Sequence, residues 1–178
     1  GLIIPNVFGP FGVPFYNSVI STFSYQICNK QEPKLEVDNE LKLIYVGDLV
    51  KVILDLFPAD FANTEGTEDT EGTEGWLPPK VLEVPYRAKY KVSELLDKLQ
   101  GYYDTYVVNG IFPALDDWFE VCLFNTFRSY LPKEHFPVKY LKHSDQRGIY
   151  VETMKFNSRG QVSFSTTLPR ITRGNHFH

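Results

Sequence analysis

The sequence predicts an α/β fold that gives way to an all-β segment, and three observations carry that reading. Short apolar runs alternate with helix-spaced stretches from residue 1 to about residue 112. From about residue 133 onward only alternating, strand-like runs remain. Between the two, a helical stretch followed by Pro132 and Pro137 marks a change of composition around residues 115–135.

Taken in order, "LIIPNV" is a short apolar run that predicts a buried strand. It empties into the rigid loop "FGPFGVP", with Gly9, Pro10, Gly12 and Pro14 close together. "NSVISTFSYQIC" carries Val19, Ile20, Phe23 and Ile27 at helical spacing, with Asn17 or Ser18 as N-cap. "LEVDNELKLIYV" predicts two short strands around a polar Asp38-Asn39 turn, and "GDLVKVILDLF" a helix capped by Asp48. "KVLEVPYRAKY" reads as a strand. "KVSELLDKLQGYY" reads as an amphipathic helix with Val92, Leu95, Leu96 and Leu99 on one side and Ser93 as its cap. "LDDWFEVCLFNTFRSYL" predicts a helix with Asp117 and Glu120 set out like a capping box. Last, "GIYVETMKF" and "GQVSFSTTL", joined by "NSRG", predict an antiparallel hairpin.

The bulk numbers narrow the function classes. With 43% hydrophobic and 22% charged residues in 178, the chain is globular and long enough for one large domain or parts of two. A net charge of −4 gives no reason to expect nucleic acid or an anionic membrane surface as a partner. Much of that charge is local: "TEGTEDTEGTEG" holds Glu65, Glu68, Asp69, Glu71 and Glu74 with no basic residue, and the rest is close to neutral. The tract is too polar to bury anything, so a solvated loop is expected there. A collagen reading fails, because the glycine period is broken and proline is missing. No apolar run approaches the roughly 18 residues a membrane span needs, and "GLIIPNVFG" lacks the features of a signal peptide. Cys28 and Cys122, in separate apolar helical segments, read as buried free thiols of a reducing, cytoplasmic setting.

No Gly-rich strand-to-helix turn of a dinucleotide site occurs, since "GPFGVPFY" has two prolines where the helix should start. "PNVFGPFG", "NSVISTF" and "LKLIYVGDLVKVIL" together resemble the C-terminal third of the extended short-chain dehydrogenases/reductases, the nucleotide-sugar epimerases, dehydratases and reductases. The family pattern Arg-x-x-Asn-Val-Tyr-Gly-Pro is followed by Ile-Tyr-Val-x-Asp-Leu-Val, and Asn6 to Pro10 and Ile44 to Val50 match it. The resemblance implies that Pro5 lies on the NADPH side and that Asn6, with Asn17, holds a sugar nucleotide. An amide on a stiff loop offers a donor and an acceptor at low ordering cost. The match departs at Ile3, where the family has Arg, and at Leu41-Lys42, where Arg-Asp is common. The family's Tyr-x-x-x-Lys pair is absent from these residues.

"SDQRGIYVET" and "GQVSFSTTLPRITRGNHFH" resemble the opening strands of cupins, in particular the sugar-nucleotide 3-epimerases. Asp145, Arg147, Gly148, Tyr150 (for Phe) and Glu152 match their Asp-x-Arg-Gly-x-Phe-x-Glu, and Arg173, Gly174 and His176 match Arg-Gly-x-His. The resemblance implies that Arg147, Glu152 and Arg173 hold substrate, with the planar guanidinium fork suited to phosphate. It implies that His176 removes a proton beside a ketone. His176 and His178 also fit the first cupin metal motif, which implies zinc. On a strand, residues two apart face the same side. His135 and His143 read as ordinary surface residues.

A reductase-like part joined to a cupin resembles the bifunctional enzymes of capsular-polysaccharide synthesis, which act on UDP-4-keto-6-deoxy-N-acetylhexosamines and reduce carbon 4 with NADPH. The expected organisation is an internal piece of such an enzyme. Residues 1–117 are the C-terminal, substrate-binding part of an NAD(P)-dependent epimerase/dehydratase-like domain, 118–132 a linker helix, and 133–178 the first β-strands of a cupin. Its partner is a UDP-sugar, with a homodimer expected for the full-length protein. The alternative is a non-catalytic remnant acting as an assembly or dimerisation module. If the Thr-Glu-Gly tract is a solvated loop, a Glu-specific protease at limiting ratio should cut within residues 63–75 before any other site. First cleavage elsewhere would contradict it.

Overall fold

The computed structural model describes residues 1–57 and 81–172. The acidic tract, Arg173, His176 and His178 lie outside the described residues. The first apolar run forms two strands instead of one buried strand. β1 (Leu2–Ile3) and β2 (Asn6–Phe8) are interrupted at Ile4-Pro5, where proline has no N–H to continue a ladder. No residue of this run is fully buried: Leu2, Ile3 and Ile4 face outward, and the buried residue of β2 is Phe8, just beyond the run.

α1 (Val19–Cys28) is capped by Ser18, whose Oγ accepts from the Ser21 N–H, so of the two candidate caps it is Ser18 that acts. Of the two strands expected around Asp38-Asn39 only the second forms, as β3 (Glu40–Tyr45). Asp38 instead reaches forward in the chain: its carboxylate accepts from the Ser93 N–H at 2.8 Å and the Ser93 hydroxyl at 2.9 Å. The Ser93 backbone hydrogen bond holds the Asp38 carboxyl below its usual range. Ser93 therefore does not cap its own helix as expected.

α2 (Val46–Leu54) begins without a side-chain cap. Asp48 sits inside its first turn, nearly buried, with Arg87 Nε 3.6 Å away. "KVLEVPYRAKY" is likewise two strands, β4 (Leu82–Glu83) and β5 (Ala88–Lys91), separated around Pro85. β1 pairs in parallel with β4, and a three-stranded sheet runs β2-β3-β5, parallel then antiparallel.

α3 (Val92–Tyr102) buries Val92, Leu95 and Leu99 as its periodicity requires, with Leu96 at the core's edge. It continues as a π-helical stretch, Tyr103–Val108, and ends at Gly110 with φ of 65°, the left-handed conformation that glycine takes at helix ends. α4 (Trp118–Arg128) starts on Asp117, whose side chain accepts from the Glu120 N–H at 2.8 Å. Glu120 does not return the bond to complete a capping box; it crosses to α3 instead.

The core packs α1, α3 and α4 on one side of the β2-β3-β5 sheet. Ile20, Phe23, Ile27, Leu95, Leu99, Leu123, Phe124 and Phe127 interlock there with Phe8 and Leu43. Each fully buried side chain of this kind contributes about 1.5–3 kcal/mol. Cys28 and Cys122 are free and buried, and burial pushes the Cys28 thiol up to about 12. A second, smaller cluster of Ile44, Leu49 and Val84 forms between the sheet's other face and α2.

The remaining strands form one sheet: β6 (Ile111–Phe112), β7 (Lys142–Asp145), β8 (Gly148–Phe156) and β9 (Gln161–Thr167). The β8–β9 hairpin turns at "NSRG" as the sequence predicts, with Arg159 and Gly160 at positive φ. β6 pairs in parallel with the end of β8, and Phe112 meets Phe156 at 5.5 Å between ring centroids. Among the described residues no helix is long and apolar enough to cross a membrane.

Glu120 generates a prediction. Its carboxylate receives Lys98 Nζ at 2.5 Å and the Tyr102 hydroxyl, with little solvent access. Truncation strands both donors, so Glu120→Ala should lower unfolding free energy by about 1–3 kcal/mol, and Tyr102→Phe by about 1 kcal/mol. Urea denaturation followed by far-UV circular dichroism measures both; an unchanged midpoint in Glu120→Ala would show that the clasp contributes nothing.

Candidate functional site

The register of the three-stranded sheet creates the main cleft. Asn6 lies opposite Leu43 and Phe8 opposite Tyr45, while Leu41, Leu43, Ala88 and Tyr90 share the core side. Alternation therefore sends Val7, Glu40, Lys42, Ile44 and Lys89 to the other face. α2 covers the Val7/Ile44 end of that face. The Glu40/Lys42/Lys89 end stays open, and a cleft of about 820 Å³ lies over it.

Pro5 and Asn6, neighbours in one motif, and Asn17, from a second, all line this cleft. By register Asn6 lies on the Leu43 side, so it borders the cleft from the start of β2, and its Nδ2 donates to the Lys42 carbonyl at 3.4 Å. Asn17 arrives by a strained loop. Phe11, Phe15 and Asn17 all have positive φ, a conformation that costs non-glycine residues roughly 1–2 kcal/mol each, least for Asn. Side chains of α1 and of the α4 end hold the loop in that shape. Ser129 Oγ accepts from the Phe11 N–H at 3.1 Å, Thr22 Oγ1 accepts from the Phe15 N–H at 2.9 Å, and the Tyr130 hydroxyl donates to the Gly12 carbonyl at 2.7 Å. Gly9 is required at the loop's entrance, because a Cβ there would stand 2.5 Å from Val46 Cγ1.

The polar floor of the cleft was not apparent in the motifs. Lys42 and Lys89 are directly opposite in the β3–β5 register. Lys89 is ion-paired with Glu40, and Lys42 Nζ sits 5.3 Å from the centre of the Tyr86 ring. The signal lies in the spacing: Glu40 and Lys42, two apart on a strand, must share a face, and an apolar core cannot take both.

The second group of expected residues lies on the other sheet. Arg147 lines a smaller cleft of about 370 Å³ with His143, Asp145 and Tyr150. Its Nε and Nη2 donate to Asp145 Oδ2 at 2.9 and 2.6 Å, and that hydrogen bond raises the guanidinium further above its usual range. His143, on a strand the sequence reading missed, faces Tyr150 across the β7–β8 pair with ring centroids 6.5 Å apart. Glu152 is exposed on β8 opposite Ser163 and lines neither of these clefts. Pro5, Asn6 and Asn17 thus come together, Arg147 and Glu152 do not join them, and Arg173, His176 and His178 lie outside the described residues. Among the described residues no cluster of three or more His, Cys, Asp or Glu could hold a metal ion.

A family model described as the polysaccharide biosynthesis C-terminal domain matches residues 143–178. Over 98% of its length the chain is 29% identical to a protein of Pseudomonas aeruginosa named UDP-2-acetamido-2,6-beta-L-arabino-hexul-4-ose reductase, covering 43% of that protein. The crystal structure of the capsular polysaccharide assembling protein CapF from Staphylococcus aureus superposes on 99% of the chain, with a TM-score of 0.75 and 35% identity, covering 44% of the CapF chain. CapF with the inhibitor 3-isopropenyl-tropolone superposes with a TM-score of 0.73 and 35% identity, covering 99% of this chain and 48% of that one. The chain has the mixed α/β fold of the matching part of CapF and spans less than half the length of the relatives it matches.

The Gly9 contact makes the loop testable. Gly9→Ala should destabilise by about 1–3 kcal/mol through overpacking, and Val46→Ala in the same chain should recover most of the loss. A thermal melt in which Gly9→Ala equals the parent would contradict the close approach.

Proposed function

We propose that the chain carries the substrate-holding part of a nucleotide-sugar 4-ketoreductase followed by the opening strands of a zinc cupin 3-epimerase. Its substrate would be a UDP-4-keto-6-deoxy-N-acetylhexosamine bound for capsular or surface polysaccharide. The observation that carries this reading is the meeting of Pro5, Asn6 and Asn17 at one cleft. The names of the similar proteins, a UDP-hexulose reductase and a capsular polysaccharide assembling protein, support it. In this proposal residues 1–117 belong to an extended short-chain dehydrogenase/reductase, 118–132 link, and 133–178 open the cupin. The whole enzyme works in the cytoplasm as a homodimer.

The chemistry divides accordingly. NADPH, when bound, supplies the hydride for carbon 4, with Pro5 on its side of the cleft. The Asn6 amide donates to and accepts from the sugar, and Asn17 offers the same groups from the stiff loop. In the cupin part Arg147 and Arg173 bind phosphate oxygens, with Glu152 holding substrate beside them. His176 takes the proton from the carbon beside the ketone. Zinc would be held by His176 and His178, both of which lie outside the described residues.

The test is UDP-sugar binding to the 178-residue chain by isothermal calorimetry. The reading expects saturable binding, weakened about fivefold or more by Asn6→Ala, the loss expected for one or two neutral hydrogen bonds. Absence of UDP-sugar binding, or binding indifferent to both Asn6→Ala and Asn17→Ala, would overturn it.

A further inference from the structure

On the floor of the main cleft, β3 and β5 set two lysines directly opposite each other, Lys42 against Lys89. Like charges at opposed positions destabilise a sheet. Two carboxylates, Glu40 and Glu83, line the cleft with this pair, and among the described residues only Glu40 is ion-paired with either lysine. Glu40, two residues before Lys42 on the same face, is ion-paired with Lys89. Glu40 stands diagonal to Lys89 and opposite Lys91, so it engages one of the two ammonium groups and leaves the other. Among the described residues Lys42 has no ion-pair partner; its ammonium lies over the Tyr86 ring, a contact that spends no N–H on a carboxylate.

We propose that Lys42 and Lys89 form a binding site for the diphosphate of a nucleotide ligand, and that Glu40 is its built-in competitor, released from Lys89 when the anion binds. This rests on the reading of the cleft as a nucleotide-sugar site. The charge balance favours the exchange. A diphosphate presents several oxygens and more than one negative charge, so it engages both ammonium groups at once, whereas Glu40 carries one charge and engages only Lys89. Lys89 and Glu40 are each about half exposed (46% and 49%), so the resident ion pair is weak and readily displaced. Glu83 also lines the cleft, so with Glu40 it balances the two lysines and keeps the empty cleft near neutral, which disfavours simple monovalent anions while admitting a ligand that satisfies both lysines. Asn6 and Asn17 line the same cleft and remain available to the rest of such a ligand.

The experiment titrates inorganic pyrophosphate, UDP and uridine into the 178-residue chain by isothermal calorimetry. The variants are Glu40→Gln, Lys89→Gln, both together, and Glu134→Gln, which removes the same charge at a different cleft. The proposal expects Glu40→Gln to tighten pyrophosphate about fivefold and Lys89→Gln to weaken it by a similar factor, the scale of one exposed charge pair. The double variant should behave like Lys89→Gln alone, and Glu134→Gln like the parent. No pyrophosphate binding, equal gains from Glu40→Gln and Glu134→Gln, or a Glu40→Gln gain that persists without Lys89 would each overturn it. If pyrophosphate follows the expected pattern but UDP binds no better, the anion site stands and the nucleotide reading falls. If UDP binds but ignores Glu40 and Lys89, the nucleotide reading stands and this inference falls.

Discussion

The register of β3 between β2 and β5 is the constraint from which both the core and the cleft follow. It turns Leu41, Leu43 and Tyr45 toward the three-helix layer and leaves Glu40 and Lys42 on the opposite face. A slip of one residue would exchange the two sets, burying two charges and exposing the aliphatic side chains. Such a slip costs several buried side chains at about 1.5–3 kcal/mol each, besides the desolvation of two ions. The open, charged face is therefore a direct consequence of packing the other one.

That constraint is reinforced from outside the sheet. Asp38 ties the chain just before β3 to the first turn of α3, and the Lys98–Glu120–Tyr102 clasp ties α3 to α4. α4 then holds the loop that delivers Asn17, through Ser129 and Tyr130 just beyond its end. A side chain lining the cleft is thus fixed by helices packed on the far side of the sheet. The β8–β9 hairpin is joined to the same body through the β6–β8 pairing and the Phe112–Phe156 contact, so the all-β part is anchored beside the π-helical end of α3.

Much of this was legible in the sequence because the signals were local. Helical spacing identified α1, α3 and α4, Asp117 announced a helix start, and "NSRG" announced a hairpin turn. The failures were all matters of tertiary context. Asp38 read as a turn residue because its partner, Ser93, is remote in the chain. Asp48 read as a cap but is held near Arg87 inside the first turn. Pro5 and Pro85 each split an apolar run that hydrophobicity alone joined. For the site, Pro5, Asn6 and Asn17 were found through motif resemblance. Lys42 entered only as a departure from a family pattern, and Lys89 and Glu40 were not singled out, because their importance comes from cross-strand register.

The central claim is that one cleft, floored by the charged face of β2-β3-β5 and reached by Asn6 and Asn17, receives a nucleotide sugar. Backbone amide chemical shifts of the isotope-labelled chain, recorded by NMR during titration with a UDP-sugar, test it most directly. The account predicts that the largest changes fall on residues 6–7, Asn17, 40–42 and 86–89, and saturate together. Changes concentrated elsewhere, or no saturable change at all, would contradict it.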